Sequence, residues 1–257
     1  MAYNHERKNK SKRFCIKIVL AVAVIFCGWV VLWYYAPHLL WKYAEWRYDL
    51  HEVEKIETVL MPEVDIPENW VEHSFKNMHF RLSPDMSPVE EDLTGSIFWS
   101  ENMVFRLFPM TYPDLSEILR LASRLHPEHK HFTLTQLYFE SLKAGASDFH
   151  WSMSRQEALW HCHMVCVVRS VFPGSYGMRS AEFFSGKNWE GLLFFPKEKE
   201  LDYDRWMLEW HCMYCSNSGL AYFSTPIKSK DKELAMSVVR GIIQSIEIDC
   251  GCSSDEE

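Results

Sequence analysis

Two short groups of cysteine and histidine carry most of the reactive chemistry in this chain. His161-Cys162-His163 with Cys166 forms one group, and His211-Cys212 with Cys215 forms the other. His161, Cys162, Cys166, His211, Cys212 and Cys215 together offer the soft donors that hold Zn2+, and Cys212-x-x-Cys215 has zinc-knuckle spacing. A zinc site needs thiolates from both groups within about 2.3 Å of one ion. A single Cys-x-x-Cys is common. Both groups also sit in apolar, Trp-rich sequence, where cysteine behaves as a small buried hydrophobe. Unpaired buried thiols are therefore the leading expectation, and a zinc or redox module is the alternative.

Disulfides are a third possibility. Cys162, Cys166, Cys212, Cys215, Cys250 and Cys252 make an even set, and an oxidising compartment lets such residues pair. Sequence leaves the connectivity open. A thioredoxin-like pair wants a helix N-terminus, and Cys212-x-x-Cys215 falls at the end of an expected strand. His126, His129 and His131 crowd a loop around Pro127, where a solvated connection is expected. The chain has no Gly-x-Ser-x-Gly elbow, no His-Glu-x-x-His helix and no P-loop. No motif fixes a catalytic residue.

The elements that must position these groups follow from periodicity. Asn69 to Ser83 reads as extended, Pro84 to Glu91 as a loop, and Ser96–Trp99 and Met103–Leu107 as strands about a Glu101-Asn102 turn. Leu115, Ile118, Leu119, Ala122 and Leu125 form one helical face behind an Asp114 cap. Thr133 with Gln136 is a capping box, and Gly145 supplies the stop. Ser154 with Glu157 is a second capping box. It favours a helix over residues 155–172, although the Val- and Cys-rich run there also fits a buried strand. Ser180–Ser185, Glu190–Phe195, Asp204–Tyr214 and Leu220–Thr225 alternate, with short links, as an antiparallel meander. Lys230–Gln244 closes the chain as a helix. Strands, helices, strands and a helix in that order give an α+β fold, an antiparallel sheet with helices packed on it. Tryptophans 70, 99, 151, 160, 189, 206 and 210 are expected mainly in its core.

Before the domain lies a different kind of segment. From Ile18 to Trp41 there is no Asp, Glu, Lys or Arg. A bilayer core needs about 20 apolar residues in a helix, and residues 18–36 supply them. A cleaved signal would end in small residues, whereas this run ends in Trp33, Tyr34 and Tyr35, which suit the membrane interface. Arg7, Lys8, Lys10, Lys12, Arg13 and Lys17 all precede the span, so the positive-inside rule places the N-terminus in the cytoplasm and the domain outside.

The expected organisation is a basic cytoplasmic arm (1–17), a transmembrane helix (18–36) and a juxtamembrane stalk helix (37–62). An extracytoplasmic α+β domain (63–248) and an acidic tail (249–257) follow. Tyr43, Trp46, Leu50, Val53 and Leu60 fall on one stripe of the stalk. That stripe either packs on the chain's own domain or joins two copies through residues 38–60. A net charge of −8 argues against nucleic acid, which needs a basic face. The expected partners are the bilayer and a protein. The expected role is a non-enzymatic interaction or envelope-assembly component of the cell membrane.

Overall fold

Alternation along residues 178–226 builds the centre of the molecule, as a computed structural model shows. The structure describes residues 2–48, 50, 53–91, 95–101, 103–111, 116–169, 178–196, 203–212, 217–226 and 232–249. Side chains of residues 2–19 and 21 are outside that description, as is the Asp114 cap.

The chain opens with helix α1 (Ala2–Tyr48), followed by β1 (Glu57–Leu60), β2 (Val71–Phe75), β3 (Met78–Leu82), β4 (Ser87–Glu91), β5 (Ser96–Trp99) and β6 (Val104–Thr111). Three helices come next: α2 (Ser116–Leu125), α3 (Leu134–Leu142) and α4 (Arg155–Cys162). The long strands β7 (Met178–Ser185), β8 (Trp189–Pro196), β9 (Tyr203–Cys212) and β10 (Asn217–Pro226) precede α5 (Lys232–Gln244) and the short β11 (Glu247–Ile248). The fold is α+β.

Eight strands form one sheet in the order β1-β7-β8-β9-β10-β6-β5-β4, and β11-β3-β2 form a second. All pairs are antiparallel except β1 on β7, which is parallel. The long sheet buries both faces, because period-2 alternation sends neighbours to opposite sides. On β9, Trp206, Leu208 and Trp210 join a cluster with Phe80, Phe105, Phe223, Ile242 and Ile243, beneath α5 and the small sheet. Met207 points the other way, into a cluster with Leu137, Tyr138, Leu142, Met164, Leu192 and Phe194 beneath α2, α3 and α4. Gly219 sits opposite Trp210 across the β9–β10 pair. A Cβ there would lie 2.5 Å from the indole, so only glycine lets that ring lie flat on the strand.

Both capping boxes form as the sequence requires. The Thr133 hydroxyl accepts from the Gln136 amide at 3.1 Å, and the Ser154 hydroxyl from the Glu157 amide at 3.2 Å. Residues 155–168 are helical, and the last turn widens into a π-helix over His163–Val168. The amide of Arg169 donates five residues back, to the Met164 carbonyl.

Three expectations need correction. The stalk helix does not extend to residue 62: α1 ends at Tyr48, and Glu57–Leu60 is an edge strand on β7. Helical spacing carried through Val53 and Leu60 was coincidence, because β-branched Thr58 and Val59 favour the strand once β7 offers its edge. Residues 69–83 are a hairpin rather than one extended run, turned at Lys76, which takes a left-handed conformation (φ 55°). Within the expected loop 84–91, Ser87–Glu91 pairs with β5 as an edge strand, which tolerates Pro88 because an edge residue owes no amide to an outer neighbour.

Candidate functional site

The best-defined polar and aromatic assembly lies where α1 meets the domain. Side chains from Leu20 to Trp33 that are described are all exposed along α1. At Pro37 the pattern changes. His38 and Trp41 are fully buried, at 0% and 1% exposure. One N-terminal helix is thus long and apolar enough to span a membrane, and one face of its C-terminal third, with His38 and Trp41, is buried against the domain.

Proline creates the need for this contact. Pro37 has no amide hydrogen, so the Trp33 carbonyl loses its helical donor. Arg155, the first residue of α4, supplies one: its Nε donates to the Trp33 carbonyl oxygen at 3.0 Å. The same guanidinium lies 4.1 Å from the centre of the Trp33 ring, a cation–π contact. Cys162 Sγ donates to the Pro37 carbonyl oxygen at 3.5 Å, and His38 Nε2 donates to the Met153 carbonyl oxygen at 3.2 Å. The Ser154 capping box fixes the start of α4, which is what aims Arg155 at the helix.

Aromatic rings fill the rest of the joint. Trp41 stacks on Phe149 with centroids 5.2 Å apart and meets the edge of His161 at 4.6 Å. His38 stacks on Trp151 at 5.5 Å. Leu50 and Val165 complete this cluster, with Cys162 and Cys166 against it. Tyr43 and Trp46, expected on the packing stripe, face outward at 57% and 79% exposure. The stripe that packs is His38, Trp41 and Ala44, about half a turn round α1 from Tyr43 and Trp46.

This joint yields a double-mutant test. Arg155→Ala is expected to cost about 0.5–1.5 kcal/mol by removing the exposed hydrogen bond to the Trp33 carbonyl. Pro37→Ala restores a helical donor to that carbonyl. The pair Pro37→Ala/Arg155→Ala is therefore expected to recover part of the loss, a positive coupling measurable by urea titration in detergent. Additive losses would refute the carbonyl argument.

The first cysteine–histidine group belongs to this joint. His161 faces Trp41 and Phe149, while His163 faces Trp160. Burial holds Cys162 and Cys166 as neutral thiols: the Cys162 thiol is pushed up to about 12 by burial and then by Cys166, and the Cys166 thiol to about 11. Both are free. The second group lies elsewhere, at the far end of β9. Cys212, beside Trp189 in the register, is disulfide-bonded, so the expectation of unpaired thiols does not extend to it. Cys215, Cys250 and Cys252 are outside the described residues. Among the described residues, no three His, Cys, Asp or Glu side chains gather in a way that could hold a metal ion.

Around His211 the sheet holds a polar row that sequence reasoning missed. Glu190, His211 and Ser218 are aligned across β8, β9 and β10, all buried beneath α3. Glu209 lies next to them, 3.7 Å from His211 Nε2. Glu190 accepts from Gln136 Nε2 at 3.0 Å and from the Thr133 hydroxyl. It thereby anchors the N-terminus of α3, where a carboxylate also complements the helix dipole. The period-2 pattern of β8 and β9 could have revealed these inward acids.

His126 and His129 are not the solvated residues expected of a loop. They pack at a tilt against the Trp160 indole, with centroids at 4.3 and 4.7 Å, while His131 is exposed. A cleft of about 280 Å³ opens beside them, lined by His129, Glu140, His150, Glu157, Trp160 and His161. Its volume sits at the lower edge of the range for small-ligand pockets.

Burial also makes the helical layer sensitive to acid. It lowers His163 to about 4 and lowers His161 as well. Unfolded histidines take up protons near 6.5. Between pH 6.5 and 4 the unfolded state therefore binds more protons than the folded one, and stability falls as pH falls. The stability is fully present above pH 6.5. The His163 share of the loss is on the order of 2 kcal/mol. Thermal midpoints measured from pH 7 to pH 4 are expected to drop more steeply for the wild type than for His163→Leu.

No family model matches this sequence, and no curated protein matches it. Among solved structures, the chain is similar to a Bacteroides thetaiotaomicron protein at 10% identity and a TM-score of 0.33, over 67% of this chain and 45% of that one. It is similar to the Saccharomyces cerevisiae Ran-binding protein Mog1p at 7% identity and a TM-score of 0.34, over 70% of this chain and 95% of that one. The chain spans under half the length of the first of these. Likenesses at this level carry no argument about this chain.

Proposed function

We propose that this is a single-pass membrane protein whose α+β domain sits outside the cytoplasm as a non-enzymatic component that binds a protein partner. One observation carries the reading: the apolar helix runs without a break from an exposed stretch into a buried joint with the domain. A removable leader has no use for such a joint. Arg7, Lys8, Lys10, Lys12, Arg13 and Lys17, all ahead of the span, support a cytoplasmic N-terminus. The bonded Cys212 supports an oxidising compartment for the domain.

Three features support binding rather than catalysis. Glu190, buried and holding two side-chain donors, is committed to holding α3. The thiols of Cys162 and Cys166 are held neutral, which suits packing rather than nucleophilic attack. The exposed Tyr43 and Trp46 offer an apolar stripe for a second copy or another protein, since exposed aromatics are favoured in interfaces.

Protease added to right-side-out membrane vesicles tests the topology. The expected result is loss of the domain and retention of a protected N-terminal fragment. Protection of the domain would overturn the orientation. Zinc analysis and substrate screens on the purified full chain test the rest. Stoichiometric zinc held by the 161–166 and 211–215 groups, or turnover dependent on one of their residues, would replace this reading with the metal or redox one. In-membrane crosslinking from position 43 is expected to capture a protein, and Trp46→Asp to abolish the adduct.

A further inference from the structure

The joint at Pro37 leaves no linker between anchor and domain, and this fixes how the domain must meet lipid. Resting on the anchor reading above, we propose that the domain lies directly on the lipid headgroup layer of the leaflet from which α1 emerges. The contact patch is Trp151 and Arg155 of the domain beside Trp33 and Tyr35 of the helix.

Length sets the level of the patch. Residues 18–37 rise about 30 Å as a helix, the thickness of a hydrocarbon core. With Ile18 at one edge, Trp33 to Tyr35 lie within about 6 Å of the other. Arg155 touches Trp33 itself, through both the backbone carbonyl and the ring. Trp151 lies against Tyr35 at 6.3 Å and against His38 at 5.5 Å. The segment from Trp151 to Arg155 therefore sits at the depth of the interface, and there is no stretch of chain by which the domain could stand clear of it.

The chemistry of the patch suits that depth. Trp151 is 49% exposed although it carries a large apolar ring, and Trp33 and Tyr35 are exposed as well. Indole and phenol rings are favoured where one side is apolar and the other wet. Arg155 uses Nε on the Trp33 carbonyl and one face on the Trp33 ring. Its two terminal amino groups remain for lipid phosphate, a planar donor set that matches phosphate well. The nearest acid in sequence, Glu157, is committed to the Ser154 amide at 2.7 Å, closing the α4 cap. The side of the domain with α5 and the small sheet lies across the long sheet from this patch.

The full chain in phosphatidylcholine nanodiscs tests the idea. An environment-sensitive fluorophore is attached at Ser152→Cys or, as the distal control, at Glu247→Cys, each in a Cys27→Ser background. Lipids carrying a nitroxide at the headgroup serve as quencher. The expected result is severalfold stronger quenching and bluer emission at position 152 than at position 247. A further substitution, Trp151→Ser, is expected to reduce the quenching at 152. Equal quenching at the two positions, in chains that co-elute with nanodiscs, would overturn the docking and leave the anchor reading intact. Failure to enter nanodiscs would overturn both.

Discussion

Trp41→Ala is expected to lower the stability of the full chain by about 3–5 kcal/mol, the range for truncating a fully buried tryptophan. For a chain of this size that is roughly 10 °C in thermal midpoint. Trp41 is 1% exposed and bears on both Phe149 and His161, so its removal opens a cavity at the centre of the anchor–domain joint. The distinctive outcome concerns where the damage appears. The long sheet has its own two clusters and does not depend on Trp41. Hydrogen exchange in detergent is expected to rise first in α4 and in the buried part of α1, with β8 and β9 still protected. Trp46→Ala, on the same helix but 79% exposed, is expected to change stability by less than about 0.5 kcal/mol. Equal effects from the two tryptophans would mean that the helix does not pack as described.

Trp189→Ala is the second large effect, again about 3–5 kcal/mol. It acts on the opposite face of the sheet. The Trp189 indole is 1% exposed and packs against Phe184. Its Nε1 donates to the Ile246 carbonyl oxygen at 3.0 Å, which ties the end of α5 to the first residue of β8. Trp189→Phe separates the two contributions. It keeps most of the ring volume and strands one buried carbonyl, so a loss nearer 1–3 kcal/mol is expected. Denaturant midpoints of the two variants check the difference. A Phe variant as unstable as the Ala variant would show that the hydrogen bond, not the cavity, dominates. Because Trp189 also lies beside the disulfide-bonded Cys212 in the register, both variants are expected to make that bond easier to reduce.

Much of the architecture was legible because its signals are local. Both capping boxes, the four-strand meander and the last helix follow from side-chain patterns that span a dozen residues or fewer. The edge strands were not legible. Glu57–Leu60, Ser87–Glu91 and Glu247–Ile248 are short; the partners of the first and last lie far away in sequence, and Ser87–Glu91 pairs with the next strand, β5, across a register shift at Pro88. A strand of that length is stable only when a neighbour offers its edge, so nothing within the segment announces it. The stalk error has a related cause. Helical spacing from Tyr43 to Leu60 scored as a stripe, while the packing face was chosen by Phe149, Trp151 and His161, more than 100 residues away.

The candidate site divides the same way. The cysteines and histidines drew notice by residue type, yet the structure sends the two groups to different clusters. The residues that do converge were less conspicuous. Pro37 held a readable clue: a proline inside an apolar helix strands the carbonyl four residues back, and some donor must answer it. Which donor answers was not readable, because Arg155 looks like any first-turn arginine.

Sequence alone determined the apolar span, its basic flank, the caps and the alternation of the sheet, since each is a statement about one segment and the solvent it meets. Tertiary structure decided which face of α1 is buried, which acids lie beneath α3 and which cysteines are free. Those outcomes depend on what comes to lie opposite each residue, and long-range pairing is settled only when the two faces of the sheet are covered.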